Sequence, residues 1–595
     1  MERYCRVAVD SGVLALDRPF DYAIPERLLG RVHVGSVVRV VLHGRSMRGF
    51  VTDLLAAPAV ADPRPLRSVV AADPVFGPDE LTIARWAADR YIASMGHVLH
   101  DAVPGRFSAP AAADPGPRRP PPRSVLRWLR GDVKEVIADA GTACLFPPTL
   151  RDEPAVAAHV AGEAAAVGGR TLVLCPRVDL AESVAGQIPG AVVLHGDDRP
   201  GERAHAWAAA RDGHADVVVG GRSALLVPLR EVRVVCVLSA HDRSLKSERA
   251  PRLHTVVAAR QLARVRRAAF FASSPCPPLE LAATEDVRWL VGYRADIRTE
   301  IARPRGGPVT PRLCEMVRWA IELTSDALVF VARRGRALRL RCQDCGWTPS
   351  CARCGAGLAE AEGRGELECR VCGERASAPT TCVVCGGALV SGGWGHERVA
   401  RALEASGLGA PVVRMVRGEI PSERPRPAVL VGTLAAAHAV QDVGCVCVAD
   451  LDQLLARPDF RAAERALQTL HELAGTLRPG GRFLVQTREP EHHAVQAFAR
   501  RSYRYFLDRE VGFRKETSYP PFSELARVEM SPDHVKELQR IVQAAGGRAV
   551  GGLERAGRWS TLVRAPTLEP LLAPLRAFAA SHPKTKIDVD PMDVL

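Results

Sequence analysis

Lysine is almost missing from this 595-residue chain. Six residues (Lys134, Lys246, Lys515, Lys536, Lys584, Lys586) stand against 74 arginines in a Lys+Arg total of 80. Aromatics are 5%. No apolar run reaches the ~18 residues of a membrane-spanning helix, and Met1–Asp10 lacks the charged-then-apolar order of a secretory leader. These absences exclude a membrane span and predict a cytoplasmic protein with no membrane partner. No internal repeat is visible. The length excludes one small binding module and fits about three to five domains.

Hydrophobic residues make up 47% and charged residues 25%, so most of the chain can bury a core and global disorder is excluded. The net charge of +13 favours a polyanionic partner such as nucleic acid. A bias toward Arg, Ala, Gly and Pro also arises from genome composition, so charge alone decides little. Sixteen cysteines without a secretion signal argue for reduced thiols, with metal binding favoured over disulfides where they cluster.

From Cys5 to about Gly105, short apolar runs alternate with turn signals: Arg6–Asp10, Val37–Leu42 and Gly49–Asp53 read as strands of a small β-rich domain. A helix is predicted over Glu80–His97. Ser108–Arg123, dominated by Pro, Ala and Arg, reads as a stiff linker. Beyond it, helical patterns alternate with continuous β-branched runs (Thr171–Leu174, Asp216–Val219, Arg233–Leu238), which predicts buried parallel strands of an α/β layer fold. A second such series comprises Asp326–Ala332, Ala428–Val431, Gly444–Ala449 and Arg482–Gln486, interrupted by a cysteine-rich segment. The tail carries strand-like Ala526–Met530 and Lys586–Asp590 around a helix at Asp533–Ala545.

The cysteine segment holds four C-x-x-C knuckles: Cys342/Cys345, Cys351/Cys354, Cys369/Cys372 and Cys382/Cys385. Zinc takes four tetrahedral ligands at about 2.3 Å from sulfur, and two knuckles make one site. Glycine follows Cys345, Cys354, Cys372 and Cys385, where the turn after a ligand needs positive φ or close backbone approach. Eight ligands therefore predict two structural zinc ions; full cysteine coordination leaves no open position for catalytic water. Eight thiolates remove eight charges and two ions restore four, leaving +9. Buried free thiols or a disulfide cluster are the alternatives.

At this array the chain resembles the PriA family of bacterial replication-restart proteins, also called primosomal protein N′. The resemblance is carried by Leu340-Arg-Cys-Gln-Asp-Cys-Gly-Trp347 with Cys351-Ala-Arg-Cys354, by Val329–Gly335, and by Pro458-Asp-Phe-Arg-Ala-Ala-Glu-Arg465. It extends to Gly220–Leu225, Pro251-Arg-Leu-His254, Ser518-Tyr-Pro-Pro-Phe522 and Asp588-Val-Asp-Pro591, in family order from near residue 17 to the C-terminus. It implies a nested zinc pairing, with Cys342, Cys345, Cys382 and Cys385 on one ion and Cys351, Cys354, Cys369 and Cys372 on the other. Leu16–Tyr22 is similar to the family's pocket for a free 3′ DNA end, where an aromatic stacks on the terminal base and a carboxylate accepts from the 3′-hydroxyl. The implied contacts are Phe20, Asp21 and Tyr22, with Gly44 allowing close approach and Arg67 a basic contact where the family prefers Lys. Read without the resemblance, Phe20 and Tyr22 are core aromatics of a β-domain.

The family is an ATP-dependent 3′-to-5′ DNA helicase, and this chain lacks the residues that chemistry needs. A phosphate-binding loop ends in Gly-Lys-Ser/Thr, yet no Gly-Lys dipeptide exists here. After Thr142–Leu145 the chain reads Phe146-Pro-Pro-Thr-Leu-Arg-Asp-Glu-Pro154, and two prolines remove N–H donors where an anion would be cradled. The family's Asp-Glu-Glu-His becomes Leu238-Ser-Ala-His241, its Gly-Thr-Gln-x-x-x-Lys-Gly becomes Gly432-Thr-Leu-Ala-Ala-Ala-His-Ala439, and its Ala-Gly-Arg-Ala-Gly-Arg becomes Ala474-Gly-Thr-Leu-Arg-Pro-Gly-Gly481. Arginine fingers contribute ~10³–10⁵ in rate. Four such losses predict a chain without ATP turnover.

The expected fold is multidomain α/β: a β-rich 3′-end-binding-like domain (1–106), a Pro/Arg linker (107–125), a degenerate RecA-like lobe (126–300), a second (301–340 and 388–515), a two-zinc insert (341–387) and an α+β C-terminal domain (516–595). Residues 107–146 leave little room for the family's winged helix. The expected function is to bind stalled-fork or branched DNA and to nucleate primosome assembly, with primosome proteins and the helicase-loading machinery as partners by resemblance. The alternatives are an active helicase of the same family, and a zinc-ribbon protein-interaction platform without direct DNA contact.

Overall fold

The computed structural model describes residues 3–594 apart from 72, 105–119, 197, 293–296, 305–306, 333–338, 343–346, 353–356, 361–364, 370–373, 393–394, 416–423, 458 and 556. Most of the expected linker, Ser108–Arg119, lies outside the described residues.

The N-terminal antiparallel sheet runs in the order Phe20–Ala23, Tyr4–Val9, Arg45–Leu55, Val37–Leu42, Ser68–Val69. Val38 and Val40 are buried while Arg39 between them is exposed, the two-residue periodicity of a half-covered strand. His43 and Gly44, at φ +50° and +77°, form a two-residue hairpin turn closed by the Leu42–Arg45 pair; two consecutive positive φ values are what a type I′ turn demands. The single helix expected over Glu80–His97 is instead two, Pro78–Arg90 and Met95–Ala102. Ile92 sits at φ +50°, which ends the first helix, and the Ser94 hydroxyl caps the second by accepting from the His97 N–H.

Two parallel sheets follow. The first runs Leu129–Arg130, Val287–Gly292, Thr142–Phe146, Ala269–Ser273, Val232–Val237, Arg170–Leu174, Val217–Gly220, Val192–Leu194, and is parallel except at its first pair. The second runs Arg298–Ala302, Leu477–Gln486, Val443–Val448, Ala327–Phe330, Val429–Gly432, Val412–Met415, parallel throughout. Their continuous β-branched runs follow from burial on both faces. Leu172 and Leu174 face one core and Val173 another; Leu328 and Phe330 join that first core while Ala327 and Val329 face a third. The first core is contiguous through the molecule, linking Phe50, Leu174, Val446 and Leu575.

The cysteine segment forms a two-stranded ladder (Arg339–Cys342 with Leu389–Gly392) and a three-stranded one (Ala359–Glu360, Glu366–Glu368, Arg375–Ser377). The C-terminal sheet runs Arg548–Arg555, Arg558–Ala565, Glu524–Met530, Lys586–Val589, packed by helices Val535–Ala544 and Glu569–Ser581. Among the described residues no helix is long and apolar enough to cross a membrane.

Candidate functional site

The ends of the parallel strands meet in a cleft between the two sheets, and residues of the four stretches compared above with the family's nucleotide motifs tie its walls together. After the strand Thr142–Phe146 the chain makes a tight turn, Leu150–Asp152, in which the Asp152 carboxylate accepts from the Thr149 N–H at 2.9 Å. The helix Glu153–Ala166 then begins. A helix N-terminus is where a phosphate would bind, and here the first turn is acidic, with Glu153 at its first position. Glu153 is fully buried and accepts from the Ser239 N–H (2.8 Å), the Ser239 hydroxyl (2.6 Å) and the Ser273 hydroxyl (3.1 Å). Burial pushes its pKa up to about 7, against these hydrogen bonds, which pull it down.

Across the cleft, His241 Nε2 lies 3.4 Å from Glu472 Oε1, whose other oxygen is 2.6 Å from His438 Nε2. Arg151 donates to Asp442 at 2.7 Å and to the Thr476 carbonyl at 3.1 Å. Each of the four altered motif regions contributes: Arg151 from the first loop, His241 from the second, His438 from the third, and Glu472 and Thr476 around the fourth. Burial disfavours charge on His241, but the hydrogen bond and charge of Glu472 outweigh it and raise the pKa. Burial likewise opposes the Glu472 carboxylate, yet bonds from His241 and His438 hold its pKa at about 2. This latch was not legible in the sequence, because its contacts span from 34 residues (His438 to Glu472) to 325 (Arg151 to Thr476).

In the cysteine segment the structure brings Cys342, Cys382 and Cys385 together, with all three sulfurs within 4.8 Å of one another. The Cys342 and Cys385 sulfurs are 3.4 Å apart, near the ~3.8 Å edge of a tetrahedron built on 2.3 Å bonds. The Val384 N–H points to the Cys382 sulfur at 3.4 Å, and Gly386, at φ +73°, lets its N–H return to the Cys382 carbonyl. The Val384 N–H directed at the Cys382 sulfur suits a thiolate. This cluster could hold a metal ion. Cys345 lies outside the described residues. Of the second expected set, Cys351 and Cys369 are buried in one small core with Leu340 and Leu367; Cys354 and Cys372 lie outside the described residues.

At the N-terminus, backbone bonds draw three separated stretches together: Ala23 N–H to Arg64, Leu66 N–H to Ala23, and Arg67 N–H to Arg39. Tyr22 is buried, its hydroxyl 3.4 Å from the Val41 carbonyl. Phe20 is half-buried on the same core, with the Arg18 guanidinium 5.3 Å from its ring centroid. Asp21 points to the opposite face of the strand, where it accepts from Arg6 at 2.9 Å and from the Ala59 N–H at 2.7 Å. The Arg6 hydrogen bond holds its pKa below the usual range. Asp21 is thus committed to protein contacts and does not share a face with the two aromatics. Gly44 opens onto free space at the hairpin tip, and Arg67 is exposed. Sequence reading missed Arg39 and Arg48, which face each other directly across the hairpin.

A fourth feature is a cavity of about 440 Å³ lined by Arg90, His254, Glu280, Arg461, Glu464 and Asp590 among others. Beneath it Arg514, wholly buried, donates to Glu464 (2.6 Å), Glu510 (3.0 Å) and Glu280 (3.4 Å). Arg461 bonds Glu280 at 2.6 Å and Arg90 bonds Asp590 at 2.8 Å, while Phe460 and Tyr519 stack at 4.4 Å. Pro251–His254, Asp459–Arg465, Ser518–Phe522 and Asp588–Pro591 all converge here.

Residues 6–104 match the family model of the 3′ DNA-binding domain of PriA. The chain is 26% identical to the replication restart protein PriA of Treponema pallidum over 98% of both chains. It is 28% identical to the probable replication restart protein PriA of Mycobacterium tuberculosis over 86% of this chain and 85% of that one. To the Bacillus subtilis protein it is 26% identical over 62% of this chain, which spans 51% of that relative's length. Among solved structures, S. cerevisiae Dbp5 bound to RNA and ADP BeF3 matches with a TM-score of 0.34 and 10% identity, covering 65% of this chain and 92% of that one. The helicase MrfA bound to DNA matches with a TM-score of 0.37 and 12% identity, covering 72% and 59%. With a domain match at its N-terminus and similarity along nearly its whole length, the chain is similar to the PriA replication restart proteins.

Proposed function

We propose that this protein binds branched or 3′-ended DNA at stalled forks and serves as a fixed scaffold for primosome assembly, without hydrolysing ATP. The observation that carries the reading is Glu153: an acidic side chain, wholly buried in the first turn of the helix, stands where such a terminus otherwise attracts an anion. The latch of His241, Glu472 and His438, with Arg151 on Asp442, supports it by joining the two walls that a motor must move apart. Two zinc ions on the eight cysteines would fix the cysteine segment, with Cys342, Cys345, Cys382 and Cys385 on one and Cys351, Cys354, Cys369 and Cys372 on the other. They act structurally, since sulfur fills every position.

DNA binding is supported by the hairpin of the matched domain. Arg39 and Arg48 stand directly opposite in the hairpin, and a phosphate lying over both would meet two guanidinium groups. Phe20, Gly44 and Arg67 remain the proposed end contacts; Tyr22 shapes the pocket from the core, and Asp21 acts by holding Arg6 and the Ala59 N–H. The test is to measure ATP turnover and fork affinity on one zinc-replete preparation. The expected result is no DNA-stimulated phosphate release, with fork binding that weakens steeply with salt as counterions are released. Arg39→Ala should lower the salt slope by about one. ATP turnover that disappears on substituting a cleft residue refutes the scaffold reading; fork binding insensitive to salt refutes DNA as the ligand.

A further inference from the structure

The C-terminal sheet carries a second cluster of metal-ligating side chains, with no cysteine in it. His534 ends a short turn, Pro532–His534, that runs into the helix Val535–Ala544, on which Glu537 stands three residues later. That spacing puts both side chains on one face. His582 is the C-cap of the helix Glu569–Ser581, its N–H held by the Phe578 carbonyl. The two helices pack on each other, so three residues from two elements converge. One ligand atom from each lies within 4.8 Å of the others, and His582 Nε2 is 3.1 Å from Glu537 Oε2. The two imidazole rings stack at 3.8 Å, inclined by 28°, above the buried Phe578 ring.

We infer that His534, Glu537 and His582 form a third metal site, suited to Zn²⁺. A zinc ion bonded at about 2.0–2.1 Å to nitrogen and carboxylate oxygen sets its ligands about 3.3–3.4 Å apart, close to the observed His582–Glu537 separation. A simple ion pair accounts for that pair of side chains but not for a second imidazole with a ligand atom within 4.8 Å of both. Two imidazoles and one carboxylate are borderline ligands that suit Zn²⁺ rather than Mg²⁺ or Ca²⁺. Three protein ligands leave a position for water, and all three residues are half-exposed, so the ion exchanges with solvent, unlike one enclosed by four thiolates. Binding ties the start of one helix to the end of the other and so couples the stability of the C-terminal sheet to free zinc. The site is independent of how the cleft or the DNA-binding face is read.

The experiment is a Co²⁺ titration of the full chain with its cysteine sites filled by Zn²⁺. The expected result is one equivalent of cobalt giving visible d–d absorption without sulfur-to-metal charge transfer, displaced by added Zn²⁺ and lost in both His534→Ala and His582→Ala. Folding of the variants is checked by circular dichroism and fork affinity. Should either histidine variant unfold, Glu537→Ala, whose side chain is 42% exposed, gives the same reading. The absence of the band in the native protein, or its persistence in folded variants, overturns the assignment.

Discussion

Glu153 offers a quantitative test of the cleft, because its carboxylate is wholly buried and its pKa is displaced from 4.5 to about 7. A rise of about 2.5 in pKa is a cost of about 3 kcal/mol on the ionised folded state. The folded pKa lies above the unfolded one. Below pH 4.5 both states are protonated and nothing is lost. Between 4.5 and 7 the unfolded chain releases a proton that the folded chain keeps, so stability falls by about 1.4 kcal/mol per pH unit from this group. Above 7 the loss is complete. Glu153→Gln removes the titration while an amide oxygen still accepts from the Ser239 N–H and the Ser273 hydroxyl. The difference in denaturant unfolding between the two proteins cancels the other titrating groups. The variant should gain up to about 3 kcal/mol relative to the native chain on going from pH 4.5 to 8, less what the altered Ser239 hydroxyl bond costs. A difference that does not change with pH refutes the argument.

Three further outcomes follow from the geometry. The latch between the lobes should be tightest between about pH 4.5 and 6.5: the Glu472 contribution is complete above 4.5 and fades as pH falls toward about 2, while that of His241 is complete below 6.5 and fades as pH rises through its elevated folded pKa. Limited proteolysis at pH 6 and pH 9 reads this, and His241→Gln should flatten the alkaline arm. Zinc analysis of the native protein after passage over a weak chelator should return two tightly held ions, and Cys382→Ser should retain one. Arg514→Ala should destabilise by about 3–5 kcal/mol, since it removes the buried guanidinium shared by Glu464, Glu510 and Glu280 and leaves Glu510 with His493 alone; a loss under 1 kcal/mol in urea unfolding would show the network to be slack.

The strands of both parallel sheets were readable because burial on both faces leaves an uninterrupted mark such as Val217–Gly220 or Val443–Val448. The hairpin Arg548–Arg555 with Arg558–Ala565 left no such mark: glycine and arginine interrupt its alternation, and it exists by pairing with Glu524–Met530. The break at Ile92 escaped because an apolar face continues across it, while a single positive φ turns the chain. Cysteine spacing is local, so the knuckles could be read directly. The Asp21–Arg6 pair depends on register between two strands, and the Arg151–Asp442 bond spans 291 residues; neither follows from pattern.

The distribution of change across the molecule carries the final step. Sequence stretches that resemble the family at Pro251–His254, Asp459–Arg465, Ser518–Phe522 and Asp588–Pro591 surround one charged cavity, where Arg514, Arg461 and Arg90 join both sheets, the N-terminal helix and the C-terminal sheet. The four stretches that depart from it surround the cleft. Breaking a buried charge network costs several kcal/mol, so the joint is constrained by folding whatever the cleft does. On the proposed reading nucleotide is not the cleft's ligand and no such constraint acts there, which leaves its side chains to pair with one another as His241 does with Glu472. A motor needs a joint that transmits motion and a cleft that opens. Under the proposed scaffold reading the joint persists and the latched cleft would make the two lobes one support for the N-terminal hairpin and the cysteine segment. Cutting the latch with Arg151→Ala and His241→Ala together should therefore loosen the lobes, seen as faster proteolysis between them, without creating ATP turnover; turnover appearing in that variant would show that the cleft had been closed rather than dismantled.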